Sequence, residues 1–143
     1  MTLTTTDVPS GPVFDERDRP VALVIEDDPV TRERIAHALQ AQGWHVRQAR
    51  DAEKGLLLAR EHVPEVILLD LALPRMSGLD VLRELRSARW LDQPTRIVVV
   101  SFFTMLLRLP DLRLADAVVQ KPFATADLLA QVAVALSSRP AVH

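Results

Sequence analysis

Cysteine is absent from the 143-residue chain. That excludes disulfides, thiolate chemistry and cysteine-ligated metal, and it fits a reducing compartment. Charge of one sign is not in excess: the formal net charge of −2 gives no basis for broad attraction to nucleic acid or to anionic membrane. No apolar run approaches the length needed to span a bilayer. The N-terminal stretch Met1 to Asp7 has neither a basic region nor an apolar core, so it does not read as a secretory signal. The histidines His37, His45, His62 and His143 show no metal spacing. These absences point to the cytoplasm. What is present is ordinary for a globular domain, with 48% hydrophobic and 25% charged residues. The length suits one domain with a real core and is short for two.

The organising stretch runs from Pro64 to Gly78. Val66, Ile67, Leu68 and Leu69 are apolar in a row, opened by a proline and closed on Asp70. A run this short reads as a strand buried on both faces. Asp70 then stands at its carboxyl end, the edge of an open α/β sheet where ligands bind. Taken alone, such an acid is better explained by capping the next turn.

Other segments repeat the pattern. Val21 to Ile25 is a second apolar strand, followed by Glu26-Asp27-Asp28-Pro29, with Asp28 as an N-cap and Pro29 as first helical residue. The helix after it turns Ile35, Ala38 and Leu39 to one face and stops at Gly43. Trp44 to Ala49 alternates like a strand, and Asp51 to Glu61 reads as a helix with Leu57 and Leu58 toward the core. A helix from about Gly78 to Arg89 carries Leu79, Leu82 and Leu85 inward and Arg83, Glu84 and Arg86 outward. Ile97 to Val100 is a further strand, ending at Ser101, and Val118-Val119 a shorter one, ending at Gln120-Lys121-Pro122. Thr125 can cap a last helix whose apolar stripe is Leu128, Leu129, Val132 and Leu136. Five strand–helix rounds with no polar strand face predict an α/β fold, a parallel sheet covered on both sides. Residues 20–138 form the expected domain, between a flexible tail over 1–19 and a short one over 139–143.

In a parallel sheet the carboxyl ends of all strands share one edge. That brings Glu26, Asp27, Asp70, Ser101 and Lys121 to one pocket. Clustered carboxylates repel unless a cation sits among them, and an oxygen-only ligand set with room for water and phosphate suits Mg²⁺. Asp70 is then placed as a nucleophile for a phosphoryl group, with metal and lysine offsetting its charge.

Four ordered motifs resemble the response-regulator receiver domain of two-component signalling: Glu26-Asp27-Asp28-Pro29, Asp70-Leu-Ala-Leu-Pro-Arg-Met-Ser-Gly78, Ser101, and Lys121-Pro122-Phe123. The resemblance covers about residues 20–138. It implies a flavodoxin-like, doubly wound five-stranded sheet in the order 2-1-3-4-5. It implies that Asp70 accepts phosphate from a histidine kinase or phosphotransfer protein, with Ser101 and Lys121 approaching the phosphoryl group. Asp27 and Asp70 would bind Mg²⁺ directly, Ala72 through its backbone carbonyl and Glu26 through water, and the Lys121–Pro122 bond would be cis. Such a protein signals through partners. It is not an enzyme in the ordinary sense, its only chemistry being its own phosphorylation and dephosphorylation.

The chain departs from the pattern after Ser101. Val118 stands where the family often has an aromatic, and the chain has no tyrosine. The ring of Phe102 replaces a small residue, where it could crowd Ser101 or narrow access to Asp70. Pro110 falls inside the expected fourth helix, which should be short or irregular, and Leu114 replaces a turn glycine. Phe102, Phe103, Met105, Leu106, Leu107, Leu109, Leu112 and Leu114 either fill the core or form an exposed patch, which would mark a partner surface or homodimer over 102–121. With no DNA-binding region after Ser138, effects on transcription would pass through a partner. The main reading is a single-domain response regulator, and its rival a phosphorylation-independent interaction module on the same fold.

Overall fold

The computed structural model describes residues 19–88, 95–108 and 112–137. Five strands, β1 (Val21–Ile25), β2 (His45–Ala49), β3 (Val66–Leu69), β4 (Arg96–Phe102) and β5 (Ala117–Lys121), form one sheet. They are all parallel, in the order β2-β1-β3-β4-β5. The helices are α1 (Pro29–Ala41), α2 (Ala52–Glu61), α3 (Gly78–Ser87), α4 (Phe103–Leu106) and α5 (Thr125–Ser137), with a 3₁₀ turn at Leu112–Leu114.

The apolar strands serve two cores because successive side chains leave opposite faces. Val24, Leu68, Val98 and Val100 meet Ile35 and Leu39 of α1 and Leu128 and Val132 of α5. Leu23, Ile25, Ile67, Leu69, Ile97 and Val99 meet Leu58 of α2 and Val81, Leu82 and Leu85 of α3. β1, β3 and β4 are interior strands and almost wholly buried, as their unbroken apolar runs require. β2 lies at the edge, with one fully buried residue, Ala49. The start of α1 is as expected: Asp28 accepts from the Thr31 N–H at 3.0 Å and Pro29 opens the helix. Its end is marked by Gly43 at φ +95°.

Several side chains differ from expectation. Leu57 is exposed, because the inward stripe of α2 is Ala52, Gly55, Leu58 and Ala59, where small residues let the helix lie close on the sheet. Leu136 is also exposed, and Ala135 takes its place in the stripe with Leu128 and Val132. Thr125 is the first residue of α5 rather than its cap, and the Ala124 carbonyl accepts the first helical bonds. Arg86 is the largest correction. It is buried in the last turn of α3, where its guanidinium donates to Asp116 at 2.7 Å, to the Leu114 carbonyl at 2.7 Å and to the Thr95 carbonyl at 3.3 Å. Asp116 in turn accepts from the Ile97 N–H at 2.7 Å. The ion pair makes burial of an arginine tolerable.

The fourth helix is short, at four residues. Pro110, Leu109, Trp90 and Arg89 lie outside the described residues, as do nearly all of the two expected tails. Of the apolar segment after Ser101, Phe102, Phe103 and Leu107 are exposed, while Met105, Leu106 and Leu114 pack partly against the core. The segment therefore divides between the two uses expected for it. Among the described residues no helix is long and apolar enough to cross a membrane.

Candidate functional site

Each of the five expected site residues stands at or just after a strand's carboxyl end, so the parallel sheet gathers them at one edge. Glu26 and Asp27 follow β1. Their turn is held by the Glu26 N–H bonding the Ala49 carbonyl at 3.0 Å and by Arg32, which donates to the Glu26 carbonyl at 2.9 Å. Asp70 follows β3, with its N–H on the Ile25 carbonyl at 3.0 Å. Ser101 and Lys121 lie within the last residues of β4 and β5.

Asp70 is the hub. It is 3% exposed. Its Oδ1 accepts from the Ala72 N–H and from the Ser101 hydroxyl, each at 3.1 Å. Its Oδ2 lies 3.4 Å from Lys121 Nζ. Lys121 also makes a buried ion pair with Glu26. Ser101 therefore reaches Asp70 although Phe102 follows it, so the ring does not block the hydroxyl. The Lys121–Pro122 peptide is cis.

Glu26, Asp27 and Asp70 each place a carboxylate oxygen within 4.8 Å of the other two, close enough for one cation to bridge them. Glu26 and Asp70 are buried, whereas Asp27 is exposed. Burial pushes the Glu26 carboxyl up from 4.5 to about 7, helped by the neighbouring Asp70 and opposed by the Lys121 ammonium. Ala72 contributes its N–H to the Asp70 carboxylate.

The loop after Asp70 is closed by contacts on both sides. The Gly78 N–H bonds the Leu71 carbonyl at 3.0 Å, and Ser77 caps α3 by accepting from the Asp80 N–H at 3.2 Å. Arg75 adopts φ +65°, a conformation uncommon outside glycine and asparagine. Its guanidinium lies 3.1 Å from Asp51 and 3.9 Å from Glu53, tying the loop to the start of α2.

Sequence reasoning missed three features here: the Arg75 bridge, the Arg86–Asp116 pair and the contact of Phe102 with Lys121. The second had a visible signal, since Arg86 falls four residues after Leu82 on the apolar stripe of α3.

The comparisons with known proteins agree with this geometry. A family model described as the response regulator receiver domain matches residues 22–133. The DNA-binding dual master transcriptional regulator RpaA of Synechocystis sp. is 35% identical over 118 residues, 79% of this chain and 47% of that protein. The DNA-binding response regulator MtrA of Mycolicibacterium smegmatis is 36% identical over 114 residues, 77% of this chain and 47% of that one. This chain thus spans about half the length of these two relatives. Among solved structures, the chemotaxis response regulator CheY4 of Vibrio cholerae superposes with a TM-score of 0.73 at 24% identity, covering 80% of this chain and 97% of that one. The sheet order, the motif order and the match across most of the chain converge, and the chain belongs to the response regulator receiver domain family.

Proposed function

We propose that Asp70 is the phosphoacceptor of this receiver domain, taking a phosphoryl group from a phosphohistidine donor and signalling through a protein partner. The observation that carries the reading is the convergence on one buried carboxylate of an ammonium, a hydroxyl and two further carboxylates, gathered from the other strand ends. A carboxylate oxygen of Asp70 attacks phosphorus, the new P–O bond forms as the P–N bond to the donor imidazole breaks, and the donor leaves as neutral histidine after protonation. Lys121 offsets charge on the phosphoryl oxygens, and the Ser101 hydroxyl can donate to one of them.

The residues fit a hard divalent cation. Glu26, Asp27 and Asp70 would hold Mg²⁺, with the Ala72 carbonyl as a backbone ligand, and the ion would supply positive charge beside the incoming phosphoryl group. The domain comprises residues 20–138, works in the cytoplasm with a histidine kinase or phosphotransfer protein, and presents its output through residues 102–121. DNA binding is a property stated of RpaA and MtrA as whole proteins, about half of whose length this chain matches.

Beryllium fluoride, which mimics a phosphoryl group on a carboxylate, tests the reading. With Mg²⁺ it should raise the Tm of the parent protein and leave Asp70→Asn unchanged, by the ordinary coupling of ligand binding to stability. A parent protein whose Tm ignores the mimic at every Mg²⁺ concentration would favour the phosphorylation-independent interaction module.

A further inference from the structure

A cleft of about 630 Å³ opens at the free edge of the sheet, beyond β2. β2 has a neighbouring strand on one side only, and α1 and α2 pack on opposite faces of the sheet. At the carboxyl end of β2 the space between them is left unfilled. Arg32 of α1 lines it, with Gln48 and Arg50 from the end of β2 and Asp51, Glu53, Lys54 and Leu57 from the start of α2. None of the five residues gathered around Asp70 is part of this lining. The volume lies within the range of small-molecule sites.

The charges of the cleft do not cancel within it. Asp51 caps α2 by accepting from the Lys54 N–H at 2.8 Å, and Arg75 donates to its other oxygen at 3.1 Å. Glu53 also lies 3.9 Å from Arg75. Arg75 belongs to the loop after Asp70 and not to the lining, so both carboxylates are offset from outside. Arg32 donates to the Glu26 and Asp27 carbonyls, at 2.9 and 3.4 Å. Among the described residues, the side chains of Arg50 and Lys54 have no ion-pair partner. Three cations therefore face one cavity without a carboxylate of their own. Leu57 meets the same cavity, 51% exposed on a helix whose other large apolar residues turn inward. Exposed cations and a single exposed leucine are ordinary apart. Together they line one cleft with charge for anionic oxygens and an apolar contact for the group that carries them.

We propose that this cleft binds a small polyphosphate ester with an apolar ring, in chemical class a nucleoside triphosphate, with Arg50 and Lys54 pairing its phosphates and Leu57 packing on its ring. Three cations match a chain of anionic oxygens better than a single carboxylate, and guanidinium and ammonium groups make strong charge-assisted bonds to phosphate. The Gln48 amide, both donor and acceptor, can meet the polar edge of a base. Asp70 takes no part in this binding, so the proposal stands whether or not Asp70 accepts phosphate.

Calorimetric titration of the full chain with ATP, GTP, tripolyphosphate and adenosine tests it, in EDTA so that no divalent ion links a phosphate to the acidic site. ATP and GTP should bind more tightly than tripolyphosphate, and adenosine least of all. Arg50→Ala and Lys54→Ala should each weaken ATP about tenfold. Leu57→Ser should weaken ATP about fivefold and leave tripolyphosphate unchanged. All three positions are exposed, so the variants should keep the circular dichroism of the parent. Arg83→Ala, which removes an exposed charge on α3, and Asp70→Asn should bind ATP as the parent does. Amide NMR shifts on adding ATP should gather at residues 48–57. Failure of ATP, GTP and tripolyphosphate alike to bind at millimolar concentration overturns the proposal. So does binding that survives the Arg50→Ala, Lys54→Ala double variant, or shifts that gather at Asp70 and Lys121. Tripolyphosphate that binds as tightly as ATP overturns the assignment of a ring-bearing ligand.

Discussion

Gly78→Ala is expected to destabilise the protein by about 2–3 kcal/mol and to disable the site. A Cβ at this position would lie 2.1 Å from the Asp70 carbonyl oxygen, 2.4 Å from the Leu71 Cα and 2.9 Å from the Asp70 carbonyl carbon. All three atoms belong to the backbone, so no rotamer change relieves the clash. Either α3 withdraws from the sheet, losing the burial of Val81, Leu82 and Leu85, or the chain at Asp70 and Leu71 moves. The second path breaks the Gly78–Leu71 hydrogen bond and shifts the carboxylate away from Ser101 and Lys121. Thermal unfolding should show a Tm roughly 8–15 °C lower. Beryllium fluoride should no longer stabilise the variant. A variant with the parent Tm and the parent response to the mimic would contradict the close approach.

Asp116→Ala is expected to cost about 3–5 kcal/mol, more than most single substitutions. The Asp116 carboxylate is the charge partner of Arg86, whose side chain is 7% exposed, and it also accepts the Ile97 N–H. Its removal leaves a buried guanidinium with carbonyl acceptors and no counter-charge, together with a backbone donor short of its acceptor. Most of the loss comes from stranding the charge rather than from the attraction given up. Adding Arg86→Met should therefore recover a large part of the loss, even though the double variant has no ion pair at all. Urea unfolding of both variants checks this. A double variant no more stable than Asp116→Ala would show that attraction, not the stranded charge, dominates. The cluster joins α3, which begins at the loop after Asp70, to the lead-ins of β4 and β5, which carry Ser101 and Lys121.

The fold was legible wherever one physical requirement dominated. Interior parallel strands must be apolar on both faces, so the runs at Val21, Val66 and Ile97 could hardly be anything else. The acids, hydroxyl and lysine were legible as a group because a parallel sheet gathers strand ends at one edge. Asp28, Pro29 and Gly43 were legible because caps and stops act within a few residues. Side-chain direction failed where two requirements competed. Leu57 and Leu136 are as apolar as their buried neighbours, but Ala59 and Ala135 fit the narrow space against the sheet. Arg86 follows the apolar stripe of α3, and its burial depends on Asp116, thirty residues away in sequence. Phe102 could be read as obstructing Ser101 or narrowing the site. Its contact with Lys121 depends on the β4–β5 register, which no local pattern encodes.

The central claim is that Asp70 accepts a phosphoryl group. The direct measurement is the intact mass of the protein after incubation with Mg²⁺ and a small acyl phosphate, followed by peptide mapping. The account predicts a single phosphate adduct on the peptide carrying Asp70, dependent on Mg²⁺ and lost in Asp70→Asn. An adduct that persists in Asp70→Asn, or a parent protein that never gains one, would contradict it.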